Sequence, residues 1–460
     1  MKRPVWLPAQ PSSLHLRKPL SGLVLASLLL MGCDQANDSK PLENVPAPRT
    51  QALSDTINEQ LSQSAFEAFT RADQQADQLV ADVRLFLESP NTTTLSNVRS
   101  RWRDAYNAFL QARFYGFLPV SDPPEWQRQQ IGNRATLTLL DTWPIEGGYI
   151  DYLADYPYSG IVNDLALELT ADNLLAQHGL SDVSSASLGF HPLEFLLWGE
   201  NGQRSASDYL PNANTVALLS KTAAPAKAAD VASADDQTAE DDDGEGGGDN
   251  ITDWDERPVL VQNNTRRRDY LLLVATQIQE HVHRLERRWE PANGYYSTLI
   301  ERSKPGQALS AGLLAGQKLL HDELISKRLV LASSEFSQSS RDDLKSLVQG
   351  LESWINSGVL KQLPGDTSSL RRDWEEGFQN YYRSLEQHSS PAHPGDEDEF
   401  GRQNSADTGT SSTSADDATA TNTTALTPQK TARHLLALLR RTASQAGVTL
   451  AVSGSGSSHY

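Results

Sequence analysis

The sequence predicts an all-α protein whose folded part is divided into two blocks. Three observations carry that prediction. Apolar residues recur at intervals of three and four in run after run, the signature of helices with one buried face. Alternating apolar and polar stretches, which strands would need, are scarce. Two long polar, low-complexity stretches then cut the helical pattern into pieces that are each long enough for a core.

Taken in chain order, residues 1–32 read as a signal peptide. Lys2, Arg3, Arg17 and Lys18 precede a short apolar run, 23–31, too short to span a bilayer. "LMGC", 30–33, resembles a bacterial lipobox, in which cleavage leaves Cys33 as a lipid-modified N-terminus. The expected product is a periplasm-facing lipoprotein of the bacterial cell envelope, held on the lipid bilayer through Cys33. The choice of inner or outer membrane is left open. Residues 33–55 form a polar, proline-containing tether.

The first block, 56–208, opens with "FEAFTRADQQADQLVADVRLFL" and "VRSRWRDAYNAFLQARFYGFL", both helical in period, with Thr56 and Ser96 as expected caps. An acidic insertion, 209–253, follows. Its core, "KTAAPAKAADVASADDQTAEDDDGEGGGDN", has almost no large apolar residue and cannot offset the entropy of ordering. A calcium loop fails there, because counting back from Gly244 puts Ala239 at the first ligand position and Asn250 at that of the closing glutamate.

The second block, 254–387, contains "RRDYLLLVATQIQEHVHRLERRW" and "RDDLKSLVQGLESWI", with Ser340 as an expected cap. Residues 388–427 are a second low-complexity insertion. The closing segment, 428–460, carries one more helix, "ARHLLALLRRTASQ". A weak internal repeat links the blocks. Trp102, Tyr106 and Phe109 share their spacing with Trp374, Phe378 and Tyr381, and Arg99 and Arg371 each stand three residues before the tryptophan. Both aromatic stripes read as packing surfaces.

Composition excludes several functions. Cys33 is the only cysteine, so disulfides, thiolate metal sites and cysteine catalysis are ruled out for the anchored chain. Loss of the four leader cations leaves 36 basic against 59 acidic residues, a formal charge of −23. Such a polyanion is no nucleic-acid ligand. H-E-x-x-H, H-x-x-E-H, G-x-S-x-G, Walker and dinucleotide-binding motifs are all absent. His281 and His283 stand two apart, which sends their rings to different helix faces and reads as surface or boundary placement.

The chemistry concentrates in "GFHPLEFLLWGE", 189–200. On a helix, residues three apart share a face with Cβ atoms about 5–6 Å apart, so His191 and Glu194 can reach one cation. Nitrogen and carboxylate donors suit iron or zinc. Equally, Pro192 suits a first helical position, with His191 as cap and Glu194 in the favourable first turn. Spacing alone leaves both readings open.

Gly189, His191 and Glu194 form G-x-H-x-x-E, and with "FLLWGE" behind them the chain resembles the imelysin-like proteins. "DTWPIEGGYIDY", "RWRDAYNAFLQARFYG", "AGLLAGQKLLHDELISKRLVLASSEFSQSSRDDL" and "AGVTLAVSGSG" are similar to further segments of that family. The resemblance implies two similar four-helix-bundle-like domains, export with a lipid anchor, and a role in iron uptake or regulation. It also brings a peptidase label. The motif would line a cleft between the domains, with Trp143 and Glu146 nearby. Glu335, Ser337 and Asp342 are the complementary positions, in a stretch that departs from the family's usual pattern.

Three functions are therefore expected as competitors. The first is a metal-binding accessory protein that holds Fe or Zn at His191 and Glu194 and works with iron-uptake components. The second is a metallopeptidase built on the same pair, and the third an envelope scaffold without chemistry.

Overall fold

The computed structural model describes residues 56–120, 133–211, 263–388 and 426–450. The signal peptide, Cys33, the tether and nearly all of both low-complexity insertions lie outside the described residues. Within them, every regular element is helical. No described helix is long and apolar enough to cross a membrane.

Helix α1, Thr56–Glu88, is the spine of the fold. Ala65, Ala68, Phe69, Ala72, Ala76, Leu79, Val83 and Phe86 all lie on its buried side, and the alanines let neighbouring helices approach closely. A three-residue turn reverses the chain into α2, Thr92–Gly116. Asn91 caps it, accepting from the N–H groups of Thr93 at 2.9 Å and Thr94 at 3.1 Å. Ser96, the expected cap, lies inside the helix because the Asn91–Thr94 capping box starts it earlier.

Four short helices follow, α3 Asn133–Leu140, α4 Gly147–Ile150, α5 Ala171–Gln177 and α6 Phe190–Trp198. All nine residues of α6 are buried. Helix α7, Asn264–Trp289, begins beyond the acidic insertion and packs along α1. Arg267 on α7 grips Asp151 with two nitrogens, at 2.5 and 3.0 Å, and Arg204 joins the same carboxylate at 2.7 Å. The first long helix of the second block is thus ion-paired to the first block.

Next come α8, Tyr295–Glu301, and α9, Pro305–Gln317, which continues into a π-helical stretch, Lys318–Arg328. Wide helical turns of this kind are uncommon and gather at functional sites. Helix α10, Ser340–Asn356, packs on α2, while α11, Ser368–Gln387, pairs with α12, Pro428–Gln445. Ser340 is the first residue of α10 and not its cap. Its hydroxyl accepts instead from the Ser334 N–H at 3.0 Å.

Both aromatic triplets are buried. Trp102 donates its indole N–H to Phe190 O, and Trp374 donates to Thr442 Oγ1. Their arginines differ: Arg99 donates to Leu197 O and Arg204 O around the end of α6, whereas Arg371 is exposed. One continuous apolar core links all the long helices. The two α7 histidines do face different ways. His283 is exposed beside Asp73, but His281 is buried in the core, where burial pushes its pKa down to about 4.

Candidate functional site

Helix α6 starts one residue after the glycine of G-x-H-x-x-E. Gly189 is the cap residue, with φ 113° and ψ −174°, a conformation that side-chain-bearing residues avoid. A Cβ there would sit 2.3 Å from Leu139 O and 2.9 Å from Leu140 O. The motif's glycine is therefore a backbone requirement. It lets α6 abut the end of α3, whose next residue is Asp141. His191 is consequently the second helical residue and not the cap, and Pro192 the third, so the expected capping arrangement does not form.

Burying His191 and Glu194 in an otherwise apolar helix demands partners for every polar atom. His191 Nδ1 faces Glu194 Oε2 at 2.9 Å. On the other side, Nε2 lies 3.0 Å from the Tyr106 hydroxyl and 3.5 Å from Asp141 Oδ1. Glu194 Oε1 accepts from both the N–H of Ser337, at 2.8 Å, and its hydroxyl, at 2.6 Å. Ser339 extends the chain to Ser337 Oγ at 2.9 Å.

Behind the histidine stands a buried ion cluster. Tyr106 on α2 donates to Asp141 Oδ1 at 2.7 Å. Arg328, at the end of the π-helical stretch, donates to Tyr106 at 3.0 Å, to Asp141 Oδ2 at 2.5 Å and to Glu323 at 2.7 Å. Arg113 reaches Asp141 Oδ2 at 3.1 Å. The wide π turns carry both Glu323 and Arg328 into this cluster.

The electrostatics follow from these contacts. Burial alone would lower the pKa of His191, but hydrogen bonds to Asp141 and Glu194 outweigh it and raise the value to about 9. Burial pushes Asp141 up, yet Arg328, the His191 hydrogen bond and Arg113 together hold it well below the usual carboxylate range. Burial keeps the Tyr106 hydroxyl protonated. Two further carboxyls are raised to about 7, Glu335 by burial and then by the charge of Glu194, and Asp343 chiefly by burial.

Of the residues anticipated from sequence, Gly189, His191, Glu194 and Ser337 come together directly. Glu335 is half-buried in the field of the same pair. Trp143 lies beside the cluster, with the Arg328 guanidinium 5.0 Å from its ring centre. Glu146 is exposed at the start of α4, and Asp342 is exposed in the first turn of α10. Asp343, one residue on, is the buried one, accepting from Ser333 at 2.7 Å.

Sequence reasoning passed over Tyr106, Arg113, Asp141, Glu323 and Arg328. Tyr106 was hidden in an aromatic stripe that reads as core, and Asp141 stood at the edge of the Trp143–Glu146 segment. Nothing local distinguished Arg328, which is 222 residues from Tyr106 in the chain.

A cation can be tested against this donor set. With metal–ligand distances of about 2.0–2.2 Å, atoms 2.9 Å apart can occupy adjacent positions on one ion, so His191 Nδ1 and Glu194 Oε2 fit as a pair. Among the described residues, no group of three or more His, Cys, Asp or Glu side chains is placed to hold a metal ion. Both side chains are buried and these two atoms already contact each other, so an ion would have to enter between them.

The comparisons with known proteins agree with the fold. The profile of the Imelysin family, peptidase M75, matches residues 65–431. Among curated proteins none matches this chain. An iron-regulated protein A precursor from Parabacteroides distasonis superposes with a TM-score of 0.50 at 12% identity, over 88% of this chain and 99% of that one. An imelysin-like protein from Psychrobacter arcticum gives 0.46 at 13% identity, over 88% and 100%. With most of its length covered by the family profile, the chain belongs to the imelysin family.

Proposed function

We propose that this imelysin-family protein handles iron in the bacterial envelope, binding the ion through His191 Nδ1 and Glu194 Oε2. The observation that carries the reading is the placement of those two atoms, 2.9 Å apart inside a fully buried helix. Support for iron comes from the family and from the iron-regulated protein that shares the fold. Zinc satisfies the same donors and is the competitor in any titration. Glu335 is a half-buried carboxyl in the field of the same pair. Export, lipid anchoring at Cys33 and delivery to iron-uptake components complete the proposal.

Metal-free His191 is protonated at neutral pH, so a cation must displace the Nδ1 proton. Affinity then rises with pH, by about tenfold per unit, until about 9, where the ring is already neutral. The test is calorimetric titration of ferrous ion and zinc into the protein and into its His191→Ala/Glu194→Ala variant, at equal salt. Stoichiometric binding that disappears in the variant supports the proposal. Equal, weak binding by both sinks it. Cleavage of unfolded peptides that depends on Glu194 would replace it with a peptidase, although the pair is closed to a polypeptide in this conformation.

A further inference from the structure

Helix α7 carries its last charges in an order that the helix itself does not favour. Glu280, His283, Arg284, Arg287 and Arg288 stand three and four apart and so share one face. Together with the turn at Glu290 and the ring of Tyr295 they line a cleft of about 500 Å³. Arg284 has two further arginines one turn on, where like charges oppose the helix, although acidic residues outnumber basic ones by 59 to 40 in this chain. Burial, and after it the charge of Arg288, lowers the Arg284 pKa, with Glu280 offsetting part of the shift. Among the described residues, Arg287 and Arg288 have no ion-pair or side-chain hydrogen-bond partner. The helix dipole favours those two in the last turn, but it supplies no acceptor for their guanidinium donors.

The other charged groups of the face are engaged. Glu280 accepts from Gln277 at 2.8 Å, and His283 faces Asp73 at 3.2 Å. Glu280 and Glu290 are ten residues apart, about 15 Å along a helix axis, so the arginines occupy the middle of the cleft between them. We propose that Arg284, Arg287 and Arg288 form a binding site for a small organic oxyanion that carries at least two phosphate or carboxylate groups. A guanidinium presents a planar fork of donors that matches either group in pairs. Three such forks within about one turn can engage more than one group, and the cleft has the volume of a small-molecule site, far more than a single phosphate needs. Its far wall is fixed before any ligand arrives. Tyr295 packs on Tyr296 with 5.4 Å between ring centres, and Tyr296 on the buried Trp289 at 5.3 Å. The turn before Tyr295 is closed by the Gly294 N–H and the Ser297 hydroxyl, both donating to Glu290 O at 2.7 Å. The site shares no residue with the His191 cluster and does not depend on metal binding.

Such groups reach the cleft either on a free solute or on the headgroup of an anionic lipid, and the experiment separates the two. The full chain is titrated calorimetrically with pyrophosphate and with tricarballylate at low ionic strength, where charge pairing is least screened. Its sedimentation with phosphatidylcholine vesicles is compared with and without cardiolipin. One-to-one binding of a solute that weakens about 10- to 100-fold in Arg287→Gln/Arg288→Gln is the expected result, as loss of charge-assisted contacts requires. Glu290→Gln removes a repelling charge at the end of the cleft and should tighten the same binding, a gain that a poorly folded variant could not give. Cardiolipin-dependent sedimentation that disappears in the arginine variant, without solute binding, assigns the site to a headgroup. Failure of every probe to bind, equal binding by wild type and the arginine variant, or no gain in Glu290→Gln overturns the proposal.

Discussion

Replacing Gly189 with alanine asks whether the motif's glycine is there for the backbone. At φ 113° and ψ −174° a non-glycine residue costs about 1–3 kcal/mol before any contact is considered. The new Cβ would also lie 2.3 Å from Leu139 O and 2.9 Å from Leu140 O, both main-chain atoms that cannot swing aside. Relieving such an overlap by shifting backbone costs about 1–3 kcal/mol more. The sum, about 2–6 kcal/mol, is a large share of a typical folding free energy of about 5–15 kcal/mol. Gly179 supplies the control. It too has positive φ, 70°, but nothing lies within 4 Å of its added Cβ, so Gly179→Ala should cost only about 1–2 kcal/mol. Urea unfolding of both variants gives the comparison. If the two lose the same stability, the close approach of α6 to the end of α3 does not exist as described.

The pH dependence of stability tests the charge state of His191. Its folded pKa, about 9, lies above the ordinary 6.5, so its contribution is fully present below 6.5 and is lost as pH rises through about 9. The difference corresponds to about 3 kcal/mol. Asp343 and Glu335, raised to about 7, complete their own losses at lower pH, which leaves the interval from about 7 to 9 to the histidine. Urea midpoints should fall across that interval and flatten in His191→Gln; a flat wild-type profile would contradict the clamp between two carboxylates. Arg328→Met removes the main countercharge of buried Asp141 and should cost about 3–5 kcal/mol, with a loss below 1 kcal/mol counting against the ion cluster. Ser337→Ala takes one of two donors from Glu194 Oε1 and should cost about 1.5–3 kcal/mol, measured by the same unfolding curves.

Helical period determined much of this protein from sequence alone. The runs that begin at Phe66, Val98, Arg267, Arg341 and Ala432 all lie in long helices, because a buried stripe repeats every three or four residues whatever it packs against. The motif was legible for the same local reason: His191 and Glu194 are one turn apart, and their contact needs only the helix between them. Helix starts were less legible. Asn91 displaced Ser96, and Gly189 displaced His191, since capping depends on which hydrogen bonds the folded turn closes.

What tertiary structure decided is the surroundings of that motif. Tyr106, Asp141 and Arg328 meet around His191 from positions up to 222 residues apart, and no local spacing encodes such a meeting. Asp342 and Asp343 are equal candidates by composition, but the packing of α10 buries only the second. A helix period tells which residues point inward together. It cannot tell which inward-pointing charges from distant helices will neutralise one another, and it is the carboxylates so placed that raise the pKa of His191.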